Sequence, residues 1–328
     1  MDCEKRSLDS YAWTLHSFTI VSVPLYTVAI VALLRTNSTY FVTYKHFLIW
    51  HTMINLLAEI YNSWFLLPVV HLPFPLLRMT GIMTVFGFSG LFQFYIINAF
   101  IYQTAYSILE MFMFRFRASL YTYKSSWFYI YLRINIYTFR LLLLVFAIIA
   151  TSTFSYAIDI QRGYREDILR DFPSSPLEIL CYSVVIAAPF SDLVSLSNVL
   201  MWVMVILITF TATLTTTVYL NKYLREGEHH SAAVVRMQKM LLVSLFVQTA
   251  IHGVMLGAPN VLFVYAAFFG AHHETLAHWA FLFLTSHGFF STLAMVIFTR
   301  PIRTTIIQMF KCSKPVHVDS TRHSDNKI

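Results

Sequence analysis

The sequence predicts an all-α membrane protein, a bundle of seven transmembrane helices with its amino terminus outside the cell and a short amphipathic helix after the seventh span. Three observations lead to this prediction. Of 328 residues, 57% are hydrophobic and 12% are charged, and a typical soluble domain carries about twice that charged fraction. Seven runs are almost free of charge and long enough to cross a bilayer. Lys and Arg are concentrated in alternate loops between these runs.

The charge-free runs define the spans, because a helix needs roughly 20 residues with few or no charges to cross the hydrocarbon. We predict spans over 12–34, 47–70, 82–109, 137–157, 193–220, 240–265 and 276–299, within a domain that covers 1–310. The fourth rests on the shortest uncharged run, which has Arg140 at its edge. Membrane strands would alternate polar and apolar residues over about ten positions, and no run does so.

The distribution of positive charge sets the orientation. With the amino terminus outside, 17 of the 23 Lys and Arg residues face the cytosol and 6 face outward, as the positive-inside rule requires. The loops flanking the first span are balanced, so the later loops decide the orientation. The net charge of +7 is thus explained by topology and attraction to the lipid membrane, and we expect no nucleic-acid partner.

The segment after the seventh span predicts an amphipathic helix over 301–312. Pro301 stands where a helix could start, and the apolar residues Ile302, Ile306, Met309 and Phe310 fall on one face. Cys312 at its end is a candidate for palmitoylation. Residues 313–328 are polar and charged, which predicts a disordered cytoplasmic tail.

Enzymatic motifs are absent from the sequence. It contains no GxGxxG, Walker or GxSxG pattern, so we predict a protein that is not an enzyme and uses no cofactor. The nearest approach to a metal site is the string His272, His273, Glu274 and His278. His273 and His278 are about 140° apart around a helix, which favours an interfacial histidine cluster over a metal site.

Glu59 is an acid near the middle of the second span. An ionisable group at this depth must face the bundle interior. It either holds a cation or proton that biases the bundle between two arrangements, or it is a protonated acid bonded to a neighbouring helix. The residue types leave both interpretations open.

Polar residues in the outer halves of the spans are the natural lining of a small-molecule cavity between helices. By depth, the candidates for ligand binding are Gln93, Asn98, Ser197, Asn198 and His278. Near the cytosolic end of the third span, Glu110 is expected to pair with Arg115 or Arg117. Cys3 and Cys181 are both predicted outside, where they could pair but need not.

Four segments resemble the nematode serpentine receptors of class H (Srh), a chemoreceptor-like group. LHSFTIVSVPLYTVAIVALLRT (15–36) resembles the family's first helix, and WHTMINLLAEIYNSWFLLP (50–68) its second, in which Glu59 replaces the usual Asp. Gln238, Lys239, Gln248 and Pro259 match the sixth helix. SHGFFSTLAMVIFTRPIR (286–303) is the most specific match. The resemblance runs from Leu15 to Arg303 and is poor between 159 and 192.

The resemblance implies a bundle of the G-protein-coupled receptor type, which senses small molecules through a heterotrimeric G protein at the plasma membrane, in the sensory cilium of a neuron. The residues that it places at the G-protein face are Glu110, Arg115, Arg117, Arg236, Lys239 and Arg303. Two motifs at that face are altered. Where the family has Phe-Glu-Asn-Arg this chain has Phe112-Met113-Phe114-Arg115, and where it has Pro-Tyr-Arg the chain has Pro301-Ile302-Arg303.

Two other functions are compatible with seven spans. A ligand-gated channel or a transporter is the first alternative, but a permeation path usually needs several intramembrane charges, and Glu59 is the one acid found near mid-membrane. The second alternative is an inactive relative of the receptors that is retained for trafficking or dimerisation. The altered motif before Arg115 leaves this alternative open.

Overall fold

The computed structural model describes residues 10–36, 42–71, 76–119, 127–173, 177–186, 193–226, 232–269 and 274–311. Its helices are α1 (Ser10–Arg35), α2 (Val42–Ile60), α3 (Ile82–Val85), α4 (Gly90–Ser119), α5 (Trp127–Ser152), α6 (Phe154–Asp171), α7 (Leu193–Glu226), α8 (Ala232–Phe269), α9 (Glu274–Phe298) and α10 (Arg300–Phe310). A π-helical turn (Tyr61–Leu66) extends α2, and a 3-10 turn covers Leu177–Leu180. The strands are β1 (Pro68–His71), β2 (Leu76–Met79) and β3 (Val184–Ile186).

Five of the described helices are long and apolar enough to cross a membrane, namely α1, α5, α7, α8 and α9. The long helices α2 and α4 are more polar. They carry buried polar side chains such as His51, Asn55, Gln93 and Asn98. α4 contacts α2, α5, α7 and α8, so much of its surface faces protein and not lipid. Polar side chains are therefore tolerated on this helix.

A small antiparallel sheet lies at the end of the bundle where α1 begins, which we call the sheet end. β1 pairs with β2 and β2 pairs with β3, and the Tyr11 hydroxyl at the start of α1 donates to the Pro68 carbonyl at 3.0 Å. The sheet was not predicted, and the second span was expected to reach residue 70. The helix instead ends at Leu66, because Leu67 has a positive φ of 40° and Pro68 lacks the N–H that would continue it.

The fourth predicted span differs from the structure at both ends. α5 begins at Trp127, ten residues before the predicted start at 137, and ends at Ser152, where a turn at Thr153 leads into α6. The early start is possible because the charged groups have partners. Arg133 lies over the Tyr137 ring at 5.5 Å, and Arg140 contacts two side chains of α4.

The largest apolar core lies at the opposite end, which we call the basic end. It is built around aromatic side chains including Tyr44, Phe112, Phe116, Phe128 and Phe139. Between α5 and α7, the rings of Phe128 and Tyr219 stack with centroids 4.7 Å apart and 5° between their planes. α10 caps this core with the buried Ile302, and the Thr305 hydroxyl lies 3.1 Å from that of Thr36 after α1.

Gly288 permits the closest approach of α9 to α1 and α2. A Cβ at this position would lie 2.6 Å from the Tyr26 hydroxyl and 2.8 Å from the Asn55 Cβ. We expect Gly288→Ala to lower the free energy of unfolding by about 1–3 kcal/mol through overpacking, measured by thermal unfolding of the purified protein in micelles. Gly253→Ala is the matched control, because that helical position has no atom within 4 Å of the added Cβ and should gain stability. Equal stabilisation by both changes would contradict the packing argument.

Candidate functional site

Gln93 and Asn98, two of the predicted ligand residues, are fully buried in the structure. The Gln93 amide donates to the Thr84 hydroxyl at 3.1 Å and to the Phe88 carbonyl at 2.9 Å, so it fastens the turn that precedes α4. The backbone carbonyl of Gln93 in turn accepts from the Tyr61 hydroxyl at 3.1 Å. These contacts give Gln93 a role in joining α2 to α4.

The other predicted ligand residues lie elsewhere. The His278 ring stacks on Tyr11 with centroids 4.4 Å apart, near the start of α9 at the sheet end. Ser197 and Asn198 belong to α7, but their side chains are outside the described part of the chain, as is Cys312. The structure therefore does not gather Gln93, Asn98 and His278 around one of the cavities described below.

Glu59 lies inside the bundle, as predicted. It is 1% exposed and joins α2 to α1, because its carboxyl group accepts hydrogen bonds from the hydroxyls of Ser22 and, at 2.8 Å, Tyr26. One turn further along, the Thr19 hydroxyl donates to Ser63 at 2.7 Å, and Ser63 donates to the Glu59 carbonyl at 2.8 Å. Both carboxyl oxygens are thus engaged by protein hydroxyls.

Three buried histidines from three helices meet in the centre of the bundle, with their rings tilted or edge-on to one another. His51 of α2 lies 5.1 Å from His252 of α8, which lies 5.0 Å from His287 of α9, measured between ring centroids. His252 and His287 each donate from Nδ1 to a carbonyl of their own helix, at 2.7 and 2.6 Å. Their Nε2 atoms are buried and have no hydrogen-bond partner in the described part of the chain, so both rings present unpaired acceptor atoms to the interior.

The histidine cluster is connected to α4 through His51. Its Nδ1 is 2.7 Å from the Ser107 hydroxyl, and Asn55 donates to its Nε2 at 3.1 Å. Asn55 also accepts from Thr104 at 3.4 Å. A polar chain therefore connects α2, α4, α8 and α9 at mid-bundle. Buried networks of this kind specify one packing of helices strongly when their members are satisfied.

Arg115, predicted at the G-protein face, is 1% exposed and lies within the core of the basic end. Its guanidinium carbon is 3.3 Å from the centroid of the Tyr44 ring, and Nη1 donates to the Gln238 carbonyl oxygen at 3.3 Å. One arginine of α4 thus bridges α2 and α8. Nε and Nη2 have no hydrogen-bond partner within the described residues.

The predicted pairing of Glu110 with Arg115 or Arg117 is wrong. Glu110 accepts from Arg140 of α5 at 2.6 Å and from Tyr106 at 2.7 Å. Arg115 is five residues away, about 140° around the helix, and faces the core. Arg117 is exposed and lies 5.7 Å from the Tyr129 ring. Arg236 and Arg303 are also exposed, and Lys239 is partly exposed.

A cavity of about 320 Å³ opens at the sheet end, between the start of α4, α6 and β3. Its polar lining comes from Ser89, Gln161, Arg162, Arg165, Glu166 and Tyr182, and its apolar lining from Leu91, Ile158, Leu180 and Val184. A second cavity of about 570 Å³ follows one face of α5 and is lined by Tyr129, Ile130, Arg133, Ile134 and Tyr137.

Cys181 next to the first cavity is disulfide-bonded to a cysteine outside the described residues. The sequence did not predict the cavity, because most of its lining residues lie between 159 and 192, where the resemblance is poor. The histidines were missed because only Asp, Glu, Lys and Arg were used to find charged positions in the spans. Isolated histidines at membrane depth are the signal that could have identified them.

The apolar helices and the buried polar interior define a helical multi-pass membrane protein. The family described as "Serpentine type 7TM GPCR chemoreceptor Srh" matches residues 6–312. The chain belongs to this family, which confirms the resemblance found in four of its segments. No curated protein and no solved structure matches the chain.

Proposed function

We propose that this member of the Srh family is a chemosensory receptor of seven spans that couples a small-molecule ligand to a heterotrimeric G protein. The observation that carries the proposal is the Arg115 bridge. Arg115 contacts Tyr44 of α2 and Gln238 of α8, so any separation of α8 from α4 at the basic end must break a contact of a buried cation. If the helices at this end have two packings, with the contact made in one and broken in the other, a ligand bound elsewhere in the bundle can shift the population between them.

The surroundings of the bridge suit a cytosolic partner. The exposed Arg117, Arg236 and Arg303 lie near the ends of α4, α8 and α10, and they provide a positive rim around the core. The orientation that we propose puts this end in the cytosol and the sheet end outside, at the plasma membrane.

The function is tested by expressing the full chain with a promiscuous G protein and a second-messenger reporter, and by screening pools of small odorants. We expect at least one pool to raise the signal only when the G protein is present. A ligand-dependent ionic current that persists without any G protein would assign the chain to the channels instead.

The orientation has its own test. Asn37-Ser38-Thr39 is the only Asn-x-Ser/Thr sequon in the chain, and it falls on the cytosolic side in our proposal, so Asn37 should carry no glycan. Digestion with a glycosidase should therefore leave the mass of the expressed protein unchanged. A glycan on Asn37 would show that the orientation is the reverse of the one proposed.

A further inference from the structure

We propose that the sheet-end cavity binds a small organic anion, a carboxylate with a short apolar tail, with the anionic group between Arg162 and Arg165. This inference deepens the proposed function by naming the class of ligand. The biological role of the ligand rests on the proposed receptor function, but its binding to the cavity can be measured without any signalling.

Arg165 is a buried cation beside the cavity. This residue is 7% exposed, and its Nη1 donates to the carbonyls of Cys181 at 2.6 Å and Val184 at 3.1 Å. Among the described residues, its Nε has no hydrogen-bond partner and no carboxylate forms an ion pair with it. A buried cation is costly unless a counter-charge accompanies it. An anion in the cavity would supply that charge.

The electrostatic surroundings of Arg165 favour the same ligand. Burial, reinforced by the neighbouring Arg162, lowers the pKa of Arg165, and Glu166 opposes this effect only in part. The cavity lining contains two arginines and one acid, which leaves a net positive charge. α4, a helix of 30 residues, also begins at the cavity wall, and the positive end of its dipole favours an anion.

The cavity has a rigid frame. Gln161 exchanges two hydrogen bonds with the backbone of Ile186, at 3.0 and 2.8 Å, which fixes α6 against β3. The Gly90 N–H donates to the Tyr182 carbonyl at 2.9 Å, which fixes the start of α4 against the same segment. Cys181 is held by its disulfide. Little ordering is therefore needed on binding, which favours affinity.

The volume of the cavity and its apolar wall indicate the size and the apolar tail of the ligand. About 320 Å³ is at the lower limit of roughly 300–1,000 Å³ for small-molecule sites. Leu91, Ile158, Leu180 and Val184 supply apolar surface opposite the arginines, which an inorganic ion would leave unused. Because a guanidinium pairs with carboxylate and phosphate alike, an anionic lipid headgroup is the other source of the same chemistry.

The test uses the full-length receptor in phosphatidylcholine nanodiscs, with octanoate as the probe. Binding is followed by calorimetry and by the thermal shift that a bound ligand produces. We expect octanoate to bind, octanol and octylammonium to bind at least tenfold more weakly, and inorganic phosphate to compete poorly. Equal binding of octanol and octanoate would overturn the proposal, as would no binding of octanoate.

Three variants connect the binding to the arginines. Arg162→Gln removes an exposed cavity residue and should weaken octanoate by about tenfold or more. Arg165→Lys keeps the charge but loses the fork geometry and should also weaken binding; its thermal unfolding shows whether it folds. Arg170→Gln is the matched control, since Arg170 lies on α6 but pairs with Asp167 outside the cavity lining, and it should bind normally. Unchanged affinity in both cavity variants would overturn the proposal.

Two further arms separate the possible outcomes. A thermal shift produced by phosphatidylglycerol nanodiscs, and lost in Arg162→Gln, would assign the cavity to a lipid headgroup and overturn its assignment to a small ligand. Octanoate binding that needs both arginines in a receptor that activates no G protein would support this inference and overturn the proposed coupling.

Discussion

Replacing Glu59 with alanine is expected to lower the free energy of unfolding by about 2–4 kcal/mol. The Tyr26 hydroxyl loses its acceptor in the bundle interior, which costs about 1–3 kcal/mol, and the missing carboxyl leaves a cavity that costs about 1 kcal/mol more. Ser22 loses less, because its hydroxyl is also 3.0 Å from the Thr19 carbonyl. Tryptophan fluorescence of the purified protein during thermal unfolding in micelles measures the loss.

Glu59→Gln is the decisive companion variant. The amide keeps an oxygen that accepts from Tyr26 and should retain most of the stability, because the structure assigns the carboxyl oxygens to hydroxyl partners. If Glu59 instead held a cation, the stability of the unmodified protein would rise with sodium concentration and that of Glu59→Gln would not. In the combination of Tyr26→Phe with Glu59→Ala, the losses should be less than additive, since each change alone removes the same hydrogen bond.

Gln238→Leu is expected to raise signalling in the absence of ligand by at least about tenfold. The leucine removes the hydrogen bond between α8 and the buried Arg115 guanidinium, and a hydrogen bond to a charged group contributes about 1.5–3 kcal/mol. A loss of about 1.4 kcal/mol from one of two packings changes their ratio tenfold. The measurement is the second-messenger level per receptor at the cell surface, with the G protein co-expressed.

Gln248→Leu is the control for this prediction. Gln248 is another buried glutamine of α8, but its amide donates within the helix to Ser244 at 3.1 Å. Its loss should leave the ligand-free signal near the starting level. Equal signals from both variants, or no change in Gln238→Leu at normal surface expression, would show that the Arg115 contact does not distinguish the two packings.

The helices were predictable where apolar composition decides the structure. The positions of α1, α7, α8 and α9 follow from charge-free runs, and burial of Glu59 follows from the cost of a carboxyl group in lipid. α5 begins ten residues before the predicted fourth span, which was placed from the uncharged run that follows Arg140. In the structure Arg140 donates hydrogen bonds to Glu110 and Tyr106. This contact between α5 and α4 cannot be inferred from the sequence of either helix alone.

The candidate sites were less predictable, because they depend on how helices are rotated against one another. His51, His252 and His287 are single histidines in three separate segments, and the sequence does not reveal that their rings meet. Arg165 reaches its carbonyl partners through a turn and a short strand whose register is set by pairing with β2. Apolar periodicity can indicate that a segment is a strand, but it does not identify the distant strand with which that segment pairs.

The stacked rings of Phe128 and Tyr219 have a consequence for how the bundle responds to its lipid. Flat, nearly parallel aromatic faces attract by dispersion, and lipid tails offer the same attraction to either ring, since water is absent from the hydrocarbon. Phe128 is buried and Tyr219 only partly exposed, so acyl chains can replace this contact only when α5 and α7 move apart. Thickness and order of the surrounding bilayer should act on this contact before they act on helices joined by the buried carboxyl and imidazole groups.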